Sequence, residues 1–394
     1  MKKSLIFGLM LALVLGLSAC GDKGSHNREE DYNYDLCFEQ DGLRYWPLSH
    51  NSVAVYGTGS HSGRLVIPAK VRHKGSTYHV VRIEECAFYN CRELTSVRIP
   101  KGVTEISRDA FYNCRELTSV RIPKGVTKID YNAFRNCESL KSVKIPNSVK
   151  VIEFSAFSSC DRLTSITLPK NIEVIEKYAF QGCDGITHIT IPGSLTYLGN
   201  IFRHCDNLTS VTIEHGVQTI GECAFYMQKG LRNISIPNSV TEIGSQAFEY
   251  CENLRSIDIP ESVKSIGAKA FDSCEKLKSI TIPDGITKIE NNTFDNCTAL
   301  TTVNLPASIQ EIGEDAFQNC RKLTSITLPH GLTRIGNGAF SLCSSLTSIT
   351  IPNSVTKIES YAFSHCEHLK YATVPSHTII GREVFPEHTK VIRE

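Results

Sequence analysis

A cysteine every 23 residues constrains this chain more than any other feature. Cys91, Cys114, Cys137, Cys160 and Cys183 keep that interval, and after a one-residue deletion Cys205 resumes it. Cys251, Cys274, Cys297, Cys320, Cys343 and Cys366 carry it on, with Gln228 in the one vacant place. Each marks a copy of one unit, roughly A-F-x-x-C-x-x-L-x-S-V/I-x-I-P-x-x-V-x-x-I, which recurs about thirteen times and is complete between Ala110 and Leu140. A fixed period of this length is the mark of a solenoid.

Within a unit, Leu117, Val120 and Ile122 are apolar while Ser119 and Arg121 face the other way, as in a half-buried strand. Pro123 ends that strand because it has no amide proton to give. Gly125 turns the chain, Val126 and Ile129 make a second apolar pair, and Ala133 and Phe134 plug the coil. A single unit cannot bury these groups, but stacked units can. Equivalent strands then pair in parallel at about 4.8 Å, and thirteen coils extend roughly 60 Å. The phenylalanines from Phe88 to Phe363, one per coil, are core positions.

The strand pattern L-x-x-V/I-x-I/L resembles that of leucine-rich repeats. With its 23-residue length and its I-P, A-F and Cys positions, the unit resembles the BspA-like (Treponema-type) leucine-rich repeat family from about Leu65 to Phe385. The resemblance implies a surface or secreted protein of a host-associated microbe, with adhesion or binding of host proteins as its role. The fold expected is a leucine-rich-repeat solenoid, mainly β, with a parallel sheet on one face and a β-rich N-terminal cap.

Residues 1–20 read as a lipoprotein signal peptide: Lys2 and Lys3, an apolar run from Leu5 to Leu17, then Leu17-Ser-Ala-Cys20. That ending resembles a lipobox with Cys20 as the lipidated residue; a plain secretory signal is the alternative. Residues 21–31 are polar and read as a flexible tether. Residues 32–82 read as the cap, with hairpins turning at Asp41-Gly42 and Lys74-Gly75 and a strand from Ser52. Residues 83–385 carry the repeats and 386–394 a C-terminal cap tail. Ala87–Thr104 and Ala110–Thr127 are identical, which marks a recent duplication. Near 193–232 the period slips by one, and Glu214 and Gln228 replace Pro and Cys, giving either a local kink or a binding feature.

Lys and Arg number 42 and Asp and Glu 41, so bulk charge selects no class of partner. Local charge is more specific. Arg98, Arg121 and Lys144 fall at one exposed strand position in successive coils, with Lys101, Lys124 and Lys170 just beyond the prolines. Their fields add, so they form a candidate face for an extracellular protein or glycan; an ordinary solvated face made basic by duplication is the other reading. Base-stacking aromatics are missing from these positions, which argues against nucleic acid.

The in-phase cysteines should form a buried ladder of thiols whose side chains run parallel rather than toward one another. Cys37 and Cys86 lie off that ladder, and a bridge between them would clamp the cap. No cofactor, metal-ligand pattern or nucleophile–base constellation is recognisable, so no enzyme is expected. A lipid-anchored adhesin or binding scaffold at the cell surface is the leading function. A polysaccharide or nutrient-capture accessory module of the envelope, or a passive spacer, is the alternative.

Overall fold

The computed structural model describes residues 36–58 and 62–394. Cys20, the signal segment and the tether lie outside the described residues. Among the described residues the regular elements from Phe38 onward are all strands, joined by turns, and the repeats form a β-solenoid.

The N-terminal strands are β1 (Phe38–Gln40), β2 (Leu43–Ser49), β3 (Ser52–Thr58), β4 (Gly63–Val66), β5 (Lys70–His73) and β6 (Ser76–Ile83). β1 and β2 form the expected hairpin, with Asp41 and Gly42 at φ 52° and 73°. β5 and β6 form the second, with Lys74 and Gly75 at φ 47° and 83°. Paired positive φ values are what a two-residue turn needs to follow the strand twist. β3 pairs in parallel with β6, and β4 with Leu94–Arg98, so the cap extends both repeat walls. Trp46 packs edge-on against Tyr56.

Each coil then has three walls. The long-strand wall contains Leu94–Arg98, Ser119–Arg121, Ser142–Lys144 and Ser165–Thr167, paired in parallel without slip. The short-strand wall contains two-residue strands such as Glu105–Ile106, Lys128–Ile129 and Val151–Ile152. The third wall is the A-F turn, held by backbone bonds between coils: the Phe111 amide donates to the Ala133 carbonyl and the Phe134 amide to that of Ala156, both at 2.8 Å.

In most coils that turn uses two left-handed residues. One precedes the cysteine (Asn90, Asn113, Asn136, Asn296, Asn319; φ 56–61°) and the other precedes the alanine, or Thr293 in its place (Asp109, Asn132, Asn292, Asp315; φ 50–55°). Asn and Asp tolerate this region better than other side-chain-bearing residues, so a recurring Asn before Cys was the sequence signal for the turn.

Inside, the phenylalanines are fully buried and stack in near-parallel pairs with ring centroids 5.0–5.9 Å apart, in one run from Phe88 to Phe202 and a second from Phe225 to Phe363. The second run continues into the last, degenerate coil, where Phe385 lies 5.4 Å from Phe363. The charged tail adds a further strand, Lys390–Arg393, paired with Tyr371–Val374. Lys390 and Arg393 put charge on that open edge, while Val391 and Ile392 leave apolar side chains exposed there.

From Cys114 to Cys366 the ladder cysteines are buried, and none is in a disulfide. Each thiol donates to the carbonyl of the phenylalanine in the coil before, as Cys114 does to Phe88 at 3.2 Å and Cys297 to Phe271 at 3.2 Å. Gln228 makes the same bond through Nε2 to the Phe202 carbonyl at 2.6 Å, which explains how it replaces a cysteine. Its Oε1 is left buried without a partner.

The irregular coil is a close approach of backbones. Glu214, lacking the proline ring, donates its amide to the Ile191 carbonyl at 2.9 Å. A Cβ on Gly193 would fall 1.8 Å from the His215 carbonyl oxygen, so only glycine fits. At two places strand pairing crosses neither wall. One lies between the coils of Ser165–Thr167 and His188–Ile191, the other between those of Ser265–Ile266 and Lys288–Ile289. Turn-wall bonds still cross the second seam, where the Phe271 amide donates to the Thr293 carbonyl at 2.9 Å.

Candidate ligand-binding face

On the long-strand wall Val97, Val120 and Val143 point inward and are buried, which forces Arg98, Arg121 and Lys144 outward. The register places Arg98 opposite Arg121 and Arg121 opposite Lys144, so the three cations stand one coil apart. Val66 precedes them and Thr167 follows. Lys101 and Lys124 lie exposed just past the strand in two of the same coils. Lys170 is exposed too, but it belongs to the coil beyond Lys144, with Asn147 at the position between. The wall therefore brings five of the six expected basic residues into three consecutive coils.

The two strand walls treat charge differently. On the short-strand wall cations pair with acids in neighbouring coils: Arg82 with Glu105 at 3.0 Å, Lys128 with Glu153 at 2.9 Å, and Lys150 with Glu173 at 2.9 Å. Arg334 similarly meets Glu311 and Glu359. These exposed pairs contribute under about 1 kcal/mol each, but they satisfy their charges. Among the described residues, Arg98, Arg121 and Lys144 join no ion pair. At about 4.8 Å and water's dielectric constant, neighbouring like charges repel by up to about 1 kcal/mol, less where side chains splay or salt screens them. An anion laid along the ladder relieves that repulsion.

A second exposed ladder escaped the sequence reading. Arg232, Arg255 and Lys278 recur at 23-residue spacing directly after the repeat leucine. The Arg255 amide donates to the Arg232 carbonyl and the Lys278 amide to that of Arg255. Their common spacing was the available signal; it is masked because the other coils mostly carry Thr there.

Three potential metal ligands, Glu85, Cys86 and Asp109, gather on the turn wall. Arg108 sits 3.9 Å from Glu85 and 3.2 Å from Asp109 and supplies positive charge at that place. Burial raises the Glu85 pKa above the usual carboxylate value, against the opposing pull of Arg108. Cys37 and Cys86 are each half-buried.

The BspA type leucine rich repeat pattern matches in six copies over residues 81–201, 199–290 and 264–392. The chain belongs to the BspA-type leucine-rich repeat family. A leucine-rich repeat protein from Bacteroides ovatus is 31% identical and superposes with a TM-score of 0.76, covering 91% of this BspA-type chain and 99% of its own. A leucine rich cell surface protein from Faecalibacterium prausnitzii is 28% identical, with a TM-score of 0.53 and coverage of 91% and 94%. The pneumococcal vaccine antigen PcpA, at 19% identity, TM-score 0.55 and coverage of 91% and 98%, shares the fold. No curated protein sequence matches the chain. No helix among the described residues is long and apolar enough to cross a membrane.

Proposed function

We propose that this BspA-type chain is a bacterial surface protein, anchored by lipid on Cys20, whose long-strand wall binds an extracellular protein or glycan. The observation that carries the reading is the contrast between the walls: most cations of the short-strand wall are neutralised by acids, Lys264 excepted, while on the other Arg98, Arg121 and Lys144 are exposed, in register and without acidic partners. Thr and Ser along the same wall offer hydrogen bonds at low ordering cost. The lipobox-like Leu17-Ser-Ala-Cys20 supports the anchor. Similarity to a protein described as a cell surface protein supports the location.

The test is binding of the full chain to an array of matrix proteins, plasma proteins and glycans at low and high salt. An Arg98→Glu/Arg121→Glu/Lys144→Glu variant is run beside it. Saturable binding that weakens with salt and disappears in the variant is the expected result. Binding indifferent to the variant removes this ladder from the site. Labelled palmitate should enter the wild-type chain in bacterial cells and not a Cys20→Ala variant; equal labelling would overturn the anchor.

A further inference from the structure

Where the second basic ladder meets the second seam, the wall opens. An open cleft of about 320 Å³ there is lined by Arg255, Lys276, Lys278 and Ala299. Arg255 stands on one side of the seam and Lys276 and Lys278 on the other. The backbone bonds that join Arg232, Arg255 and Lys278 are long, at 3.4 and 3.3 Å. A smaller cleft of about 130 Å³ continues along the same gap past the hydroxyls of Ser256 and Ser279. Among the described residues none of Arg232, Arg255, Lys276 and Lys278 is in an ion pair, although Lys229 nearby is paired with Glu252. The Lys276 ammonium is held by the Asn253 side-chain carbonyl of the preceding coil. Asp258 borders the smaller cleft and not the larger one, and Glu275, next to Lys276, accepts the Ala299 amide on its backbone carbonyl.

We infer that this seam is a binding site for an acidic polysaccharide, with Arg232, Arg255 and Lys278 taking its sulfate or carboxylate groups. Three features select that partner. The cations recur one coil apart, as a chain with repeating anions requires. The wall between the two basic ladders is a track of hydroxyls, Thr167, Thr190, Thr212 and Ser235, to which sugar hydroxyls can hydrogen-bond. The track and both ladders carry no aromatic side chain on which nucleic-acid bases could stack. Arg121 and Arg255 lie six coils apart, roughly 29 Å at ~4.8 Å per coil, so one linear polyanion can engage both ladders and gain from the second contact. The inference rests on the reading of the long-strand wall as a binding surface, but it concerns a separate set of residues.

The experiment measures binding of the full chain to fluorescent dextran sulfate, with neutral dextran, an oligo-dT strand and phosphatidylserine vesicles alongside. Dextran sulfate should bind in a salt-dependent way and neutral dextran should not. An Arg232→Glu/Arg255→Glu/Lys278→Glu variant should lose at least about tenfold in affinity, and the corresponding Gln variant several-fold. Circular dichroism establishes that each variant is folded. Unchanged affinity in the folded variants overturns the site. Loss only in the Arg98/Arg121/Lys144 variant overturns it too, while leaving the wider reading of the wall intact. Equal or tighter binding of oligo-dT or vesicles overturns the choice of partner.

Discussion

Asp295 shows how a repeat turns a small side chain into a titrating group. It follows Phe294 on the turn wall, and the same place in the two preceding coils holds Asp272 and Glu249. Burial, and then the charge of Asp272, push its pKa up to about 6, with Asp315 adding to the shift. Asn292 donates to its Oδ2 at 3.3 Å, but Oδ1 has no partner. The folded pKa lies above that of an unfolded aspartate, so the native state holds the proton more tightly. Stability should therefore fall as pH rises from about 4 to about 6. Asp295→Asn should raise the melting temperature at pH 7.5, worth on the order of 1–2 kcal/mol after allowing for partial exposure, and change little at pH 4. Thermal melts of both proteins at the two pH values check this, and an equal shift at both would refute it. The sequence displays all three carboxylates, but not that they are packed into the turn.

The thiol ladder is the element in which local chemistry and stacking are most closely joined. Cysteine fits because it is small enough for the interior and its S–H reaches a carbonyl one coil away. Burial pushes the Cys137, Cys183 and Cys274 thiols far above the usual range. Eleven ladder thiols are buried, and the thiolate is the reactive form. They should resist alkylation in the native protein at pH 8 and react together when guanidinium unfolds it, as mass spectrometry of alkylated peptides can show. Rapid labelling of the native ladder would contradict the packing. The ladder itself was legible from the 23-residue spacing, and so was its burial. Its hydrogen bonds were not, because they join a thiol to a carbonyl 26 residues earlier in sequence, across a coil boundary.

For the whole molecule, each coil touches its neighbours and little else, so stability is close to a sum over coils and interfaces. The identical copies at Ala87–Thr104 and Ala110–Thr127 make a direct test. Deleting residues 87–109 removes one period and joins Cys86 to Ala110, restoring the same local sequence. The shortened chain should fold, keep its β circular dichroism and unfold at a denaturant midpoint lowered only slightly, with a smaller m-value. Deleting three residues fewer should break the register and expose the phenylalanine stack. If both deletions behave alike, stacking in register is not what holds the fold.

The sequence by itself determined the solenoid, its period, the buried columns, the two cap hairpins and the first basic ladder. Each of these is set by side-chain type at a fixed interval, and periodicity survives translation into structure. Tertiary structure decided the left-handed turn residues, the thiol-to-carbonyl bonds, the pairing of charges on one wall but not the other, and the seam where Arg255 faces Lys278. Those depend on where the backbone of one coil meets the next, and that geometry exists only after the coils have stacked.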